Sequence, residues 1–168
     1  MPTSFSPVVS DSDVSHLRRA IFVSIQAKQH GNHPFGALLT NERGEVVLEA
    51  ENTVVTDSDA TGHAETNLVR LATKNYSLEQ LRTFTLYTSC EPCAMCTGAI
   101  YWAGIGRMVY ALSEQSLTPL TGANPENPTL DLPSREVLAR GPRTVVVAGP
   151  ALEEQAAEPH RGFWSQLY

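Results

Sequence analysis

Three things are scarce in this chain, and each scarcity excludes something. Only three of its 168 residues are cysteine, and Cys90, Cys93 and Cys96 fall within seven positions of one another. Such spacing is too local to staple a fold, and a chain this long buries enough surface to stand without disulfides. Long apolar runs are missing too. Thr144-Val145-Val146-Val147-Ala148 is typical of the longest, far short of the ~20 residues of a membrane-spanning helix. Blocks of Lys or Arg are absent: the nearest approach is Arg18-Arg19, and the formal net charge is −6. Nucleic-acid affinity comes largely from cations that neutralise phosphates, so a small-molecule substrate is expected rather than nucleic acid. The first residues, Met1 to Pro7, carry neither a basic nor an apolar segment, and a cytoplasmic location is expected.

What is present reads as an ordinary soluble domain, 42% hydrophobic and 18% charged. A single domain over 13–168 is expected, with a loose polar segment over 1–12. Leu17, Ala20, Ile21, Ser24 and Ala27 recur at helical spacing from Asp13 to about His30, with Asp13 as N-cap. Strands are expected over 35–40 and 44–52, joined by a turn at 41–44. A helix follows over 63–74, then strands over 84–88 and 107–112. Pro92 suits the first position of a helix running to about Ala103. Residues 113–133 read as a long loop, of a length usually tied to function. A short helix over 134–139, a strand over 144–148 and a helix from Pro150 complete the chain. The order implies an α/β fold: a three-layer α/β/α sandwich around a central five-stranded mixed sheet.

Chemistry concentrates at the starts of two helices, His63-Ala64-Glu65 and Pro92-Cys93-Ala94-Met95-Cys96. A redox pair, a structural metal and a catalytic metal all fit a lone C-x-x-C. Cys93 and Cys96, three apart, share a helix face and can hold one ion. With His63 as a nitrogen ligand, the set leaves the fourth tetrahedral position of zinc to water, as in catalytic sites. Glu65 follows the histidine at a spacing that reaches such a water without binding the metal. Both helix N-termini favour thiolate and hydroxide. A structural site completed by Cys90 is the non-enzymatic alternative. Cys90 otherwise reads as a buried spectator thiol, Glu91 as a helix cap or a residue that exposes its backbone carbonyl to the leaving group, and Met95 as core. His16, His30, His33 and His160 read as surface or loop histidines.

His63-x-Glu65 followed by Pro92-Cys93-x-x-Cys96 resembles the signature of the zinc-dependent nucleobase and nucleoside deaminases of cytidine-deaminase-like fold. The likeness spans about residues 34–112. It implies Zn2+ held by His63, Cys93 and Cys96, with Glu65 as catalytic proton shuttle. The implied reaction converts an amino-substituted free base or nucleoside to the oxo product with release of ammonia. His33-Pro34-Phe35-Gly36-Ala37, Asn52, Thr88-Ser89-Cys90-Glu91 and Gly98 to Ala103 resemble guanine deaminases in particular. That likeness implies that Phe35 and Trp102 flank a flat heterocycle, that Asn52 binds its edge, and that the Ala64 N–H faces it. The acidic Phe-Asp-Asp segment of those enzymes is missing from Thr121 to Asn127, which leaves a guanine-like purine and cytosine both open. A tRNA adenosine-to-inosine deaminase is the alternative within the fold. Relatives of this size imply a homodimer, and the tail around Phe163-Trp164 is expected over the pocket or against a subunit.

Overall fold

The computed structural model describes residues 5–167. Helix α1 (Asp11–Gln29) opens two residues before the expected start, because Ser10 rather than Asp13 is its N-cap. Ser10 Oγ accepts from the Asp13 N–H, and Asp13 accepts from the Ser10 N–H, a reciprocal capping box. The stripe Leu17, Ala20, Ile21, Ser24 and Ala27 is buried against strand β1 (Gly36–Thr40). Contact is so close that a Cβ on Gly36 would sit 2.5 Å from the Ser24 nitrogen; only glycine fits there.

Strand β1 turns through 41–45 into β2 (Val46–Glu51). Helix α2 (Ala64–Asn75) and a one-turn α3 (Leu78–Leu81), unexpected from sequence, lead into β3 (Thr85–Cys90). Helix α4 (Ala94–Ala103) ends at Gly104, whose φ of 83° suits a left-handed cap. Strand β4 (Arg107–Leu112) is followed by α5 (Glu114–Thr121), α6 (Ser134–Leu138), β5 (Val146–Ala148) and α7 (Glu153–Ala157), then two short 3₁₀ turns.

The sheet order is β2-β1-β3-β4-β5, with β1 antiparallel to both neighbours and β3, β4 and β5 parallel. Alternation along the strands feeds two cores. Leu39, Leu86 and Met108 pack with Leu68 and Ile100, on the face covered by α2 and α4. Leu38, Tyr87 and Val109 pack with Leu17 and Ile21, under α1 and α7. The expected three-layer α/β/α sandwich with a five-stranded mixed sheet is therefore what the chain forms.

Three expectations about elements are corrected. Pro92 precedes the cap of α4 rather than occupying its first turn, since Cys93 is the N-cap. The stretch 113–133 is not all loop: Ser113 caps α5, which tolerates Pro119 inside it. Proline there removes a backbone donor, while the Thr118 hydroxyl donates to the Glu114 carbonyl within the same turns. The last helix begins at Glu153, three residues after Pro150. Of the segment expected to be loose, residues 1–4 lie outside the described residues. The carbonyls of Ser6 and Val8 accept from Arg107.

Candidate active site

The site lies at the carboxyl end of β3, where the chain turns into α4 and meets the start of α2. His63 is the N-cap of α2 and Cys93 that of α4, both with extended backbone and no side-chain cap bond. Their side chains are thus left to project beyond the helix ends. His63 Nδ1 stands 3.6 Å from Cys93 Sγ and 3.4 Å from Cys96 Sγ. All three ligand atoms lie within 4.8 Å of one another, a cluster that could hold a metal ion. Left to one another, the two sulfurs compete for one negative charge. The Cys96 S–H donates to Cys93 and, with His63, pulls the Cys93 thiol down to about 4 against its burial. The same hydrogen bond, together with burial, pushes Cys96 well up. A divalent cation relieves that competition by binding both as thiolates.

Glu65, on the first turn of α2, is 4% exposed. Burial raises its pKa, outweighing the Thr88 hydroxyl and His63, which lower it. Thr88 Oγ lies 2.6 Å from Glu65 Oε1 and 2.9 Å from the Cys90 carbonyl oxygen. Around this centre opens a cavity of about 440 Å³. Phe35 and Asn52 line it with His63, Glu65 and Cys93. Asn52 Oδ1 is occupied by the Val54 N–H, which leaves its amide nitrogen for a ligand. Ala64 is fully buried at the start of α2.

Trp102 does not join this group. It is 84% exposed on α4, six positions after Cys96. At roughly 100° per residue that places it about a third of a turn (~120°) away around the axis, so the helix that aims Cys96 inward turns Trp102 outward. The structure also corrects three other readings. Met95 is not core but partly exposed at the cavity. Glu91 does not cap its own helix; its carboxylate accepts from the first N–H of α5 (Glu114, 2.9 Å) and of α6 (Ser134, 2.9 Å). His33 and His160 are not surface histidines, being 4% and 0% exposed. Cys90 is buried as expected, and its sulfur lies 3.4 Å from His160 Nε2.

Sequence reasoning missed the far wall. Glu114, Glu126 and Asn127 line the cavity, and His33 Nε2 is 3.0 Å from Glu126 Oε2. Burial first, then Glu91, Cys93 and Asp131, push the Glu114 carboxyl up to about 8. Glu114 Oε2 and Asn127 Nδ2 are buried without a hydrogen-bond partner among the described residues. Neither Lys nor Arg lines the cavity among the described residues. Only the Ser113-Glu114 pair, a cap followed by an acid, carried a signal, and it spoke of a helix start rather than a pocket.

This fold, with a trio of side chains that could hold a metal, belongs to a known class. Residues 10–112 match the cytidine and deoxycytidylate deaminase zinc-binding region, and the chain belongs to that family of hydrolytic deaminases. A probable cytosine deaminase of Schizosaccharomyces pombe is 46% identical over 159 residues, covering 95% of this chain and 96% of that protein. A guanine deaminase of Bacillus subtilis is 43% identical over 96 residues, 56% of this chain and 61% of the relative. A solved guanine deaminase from Nitrosomonas europaea shares the fold with a TM-score of 0.74 at 22% identity, over 98% of this chain and 90% of that one.

Proposed function

We infer that this chain is a zinc-dependent hydrolytic deaminase of a small, unphosphorylated amino-substituted base or nucleoside. Cytosine is the first substrate to test and a guanine-like purine the second. The observation that carries the reading is the His63, Cys93 and Cys96 trio beside the buried carboxyl of Glu65. The donor set fits zinc: at Zn–S of about 2.3 Å and Zn–N of about 2.0–2.1 Å, tetrahedral bonds put nitrogen and sulfur about 3.6 Å apart. The two separations here are 3.4 and 3.6 Å. Cys90 stands outside the trio, which favours an open fourth position over a closed structural site.

The substrate class follows from the cavity. Its volume of about 440 Å³ exceeds that of a base, and the lack of lysine or arginine in its lining among the described residues disfavours phosphate. That wall favours a neutral or cationic heterocycle over a nucleotide or an RNA. The S. pombe relative, matched along nearly its whole length, favours cytosine.

Zinc, when bound, supplies a Lewis acid that lowers the pKa of a water toward about 7. Glu65 takes a proton from the attacking water and delivers it to the ring nitrogen; it then takes the remaining proton of the added hydroxyl and passes it to the departing amino group, which leaves as ammonia. The Thr88 hydroxyl has one hydrogen for two acceptors. It serves Glu65 Oε1 while that group is a carboxylate and turns to the Cys90 carbonyl when Glu65 holds the proton. Phe35 offers an aromatic face to the ring, Asn52 an amide donor to its edge, and Ala64 its N–H at the start of α2. Trp102, exposed on α4 near Met95, supports a homodimer formed across that helix. Three free thiols fit a reducing compartment such as the cytoplasm.

Ammonia release from cytosine, cytidine, guanine, guanosine, adenine and an anticodon stem-loop tests the assignment. Turnover of a free base or nucleoside is expected, with Glu65→Gln slower by at least roughly 10²-fold at unchanged zinc content. Activity confined to the stem-loop, or equal activity in the variant, overturns it.

A further inference from the structure

Beyond the catalytic group lies a chain of contacts that starts at Cys90, the last residue of β3, and ends in the cavity wall. Its hub is His160, fully buried in the short turn Glu158–His160. His160 Nδ1 accepts from the Trp164 indole N–H at 3.2 Å. With that nitrogen unprotonated, a neutral ring carries its hydrogen on Nε2, which points at Cys90 Sγ 3.4 Å away. Burial, Lys28 and His33 hold the His160 pKa down to about 3, in keeping with a neutral imidazole.

From Trp164 the chain continues. Its carbonyl oxygen accepts from Asn124 Nδ2 at 2.7 Å. Asn124 in turn shapes the turn at the cavity: its Oδ1 accepts from the Glu126 N–H at 2.9 Å, and its carbonyl from the Asn127 N–H at 3.1 Å. Pro125, Glu126 and Asn127 line the cavity. The same tail residues also fix Phe35, whose ring meets that of His160 at 5.0 Å and that of Trp164 at 6.1 Å. Two walls on which the ligand would rest, Phe35 and the 124–127 turn, thus share one support.

We propose that His160 is a positioning residue for the substrate cavity: by bridging Cys90 to Trp164 it latches the C-terminal segment that holds Phe35 and the 124–127 turn in place. The inference rests on the deaminase reading of that cavity. Cys90 is then an anchor that ties the roof of the pocket to the strand whose Thr88 contacts Glu65. The latch acts on the geometry of the bound base, not on proton transfer, so its loss raises KM far more than it lowers kcat.

Three variants test this. His160→Phe keeps the ring and removes both hydrogen bonds. Trp164→Phe removes only the indole donor. Asn124→Asp removes the donor to Trp164 while keeping the Oδ1 acceptor for Glu126. Each is expected to raise KM for the best base in the activity panel by roughly tenfold while kcat stays within about threefold. The double variant His160→Phe with Asn124→Asp is expected to match the worse single variant, because both cut one chain of contacts. Multiplying KM effects, or unchanged KM in the single variants, overturns the latch.

A second readout needs no turnover. The two tryptophans differ sharply, Trp102 at 84% and Trp164 at 3% exposure. In a Trp102→Phe background, where Trp164 is the one remaining tryptophan, acrylamide should leave most of the emission protected. His160→Phe and Asn124→Asp are expected to remove that protection. Protection that survives both variants overturns the latch whichever bases are turned over; an inactive wild type with the expected quenching counts against the deaminase reading alone.

Discussion

Glu114 shows how one residue can set the charge of a pocket. Its carboxyl is pushed up to about 8, first by burial and then by Glu91, Cys93 and Asp131, the acidic groups that face it. A raised carboxyl is neutral below that pH and charged above it. At neutral pH the wall therefore offers a protonated acid, able to donate as well as accept; above pH 8 it gains a negative charge beside the Cys93 sulfur. We expect kcat/KM for a neutral base to fall as pH rises through about 8, and Glu114→Gln to abolish that limb of the profile. A limb that persists in the variant belongs to another group. None of this is legible in the sequence, where Glu114 is one acid among many. Its shift comes first from burial and then from Glu91, Cys93 and Asp131, surroundings that only the fold assembles.

At the scale of elements, Glu91 joins the starts of α5 and α6. It accepts from Glu114 N and from Ser134 N and Oγ, and so holds both ends of the segment that supplies the cavity wall. Glu91→Ala leaves those buried N–H groups unpaired, at a cost of about 1–3 kcal/mol each. A lower Tm is expected, together with a raised KM, in thermal melts and initial-rate assays. A variant that matches wild type in both would remove Glu91 from this role. The two helices that carry His63, Cys93 and Cys96 were legible, because His63-x-Glu65 and Pro92-Cys93-x-x-Cys96 are local patterns whose spacing states their geometry. Helix α5 was not, since Pro119 argues against it and only the Ser113 cap argues for it. His160 was illegible for a different reason: Cys90 lies 70 positions away, and a solitary histidine gives no hint of a partner so distant. Trp102 misled because likeness to relatives says nothing of which way a helix face turns in one chain.

The molecule as a whole is pinned on its other face by a buried ion pair. Arg107 on β4 donates two bonds of 2.8 Å to the carboxylate of Asp13 on α1, and the Tyr87 hydroxyl adds a third at 2.7 Å. Burial alone would raise the Asp13 pKa, but Arg107, Ser10 and Tyr87 outweigh it and hold the carboxyl well below its usual range. A depressed carboxyl stabilises fully above its unfolded pKa of about 4 and loses that contribution as pH falls below it. His160, held down to about 3 by burial, begins to cost stability earlier, as pH falls below the ordinary histidine value of about 6.5. Wild-type Tm should therefore decline in two stages on acidification, and His160→Phe should lose the stage between about pH 6.5 and 4. Asp13→Asn leaves Arg107 buried without its counter-charge and should cost about 3–5 kcal/mol in denaturant titrations. An Asp13→Asn protein as stable as wild type would mean that water replaces the pair.

Neighbouring residues of β3 serve both halves of this design. Tyr87 bonds the acid of α1 on one side of the sheet, and Thr88 meets Glu65 on the other. Side chains of a strand alternate between its faces, so one peptide unit separates the ion pair from the hydroxyl that meets Glu65. A small molecule wedged beneath α1 would thus press on the strand that sets Thr88 against Glu65.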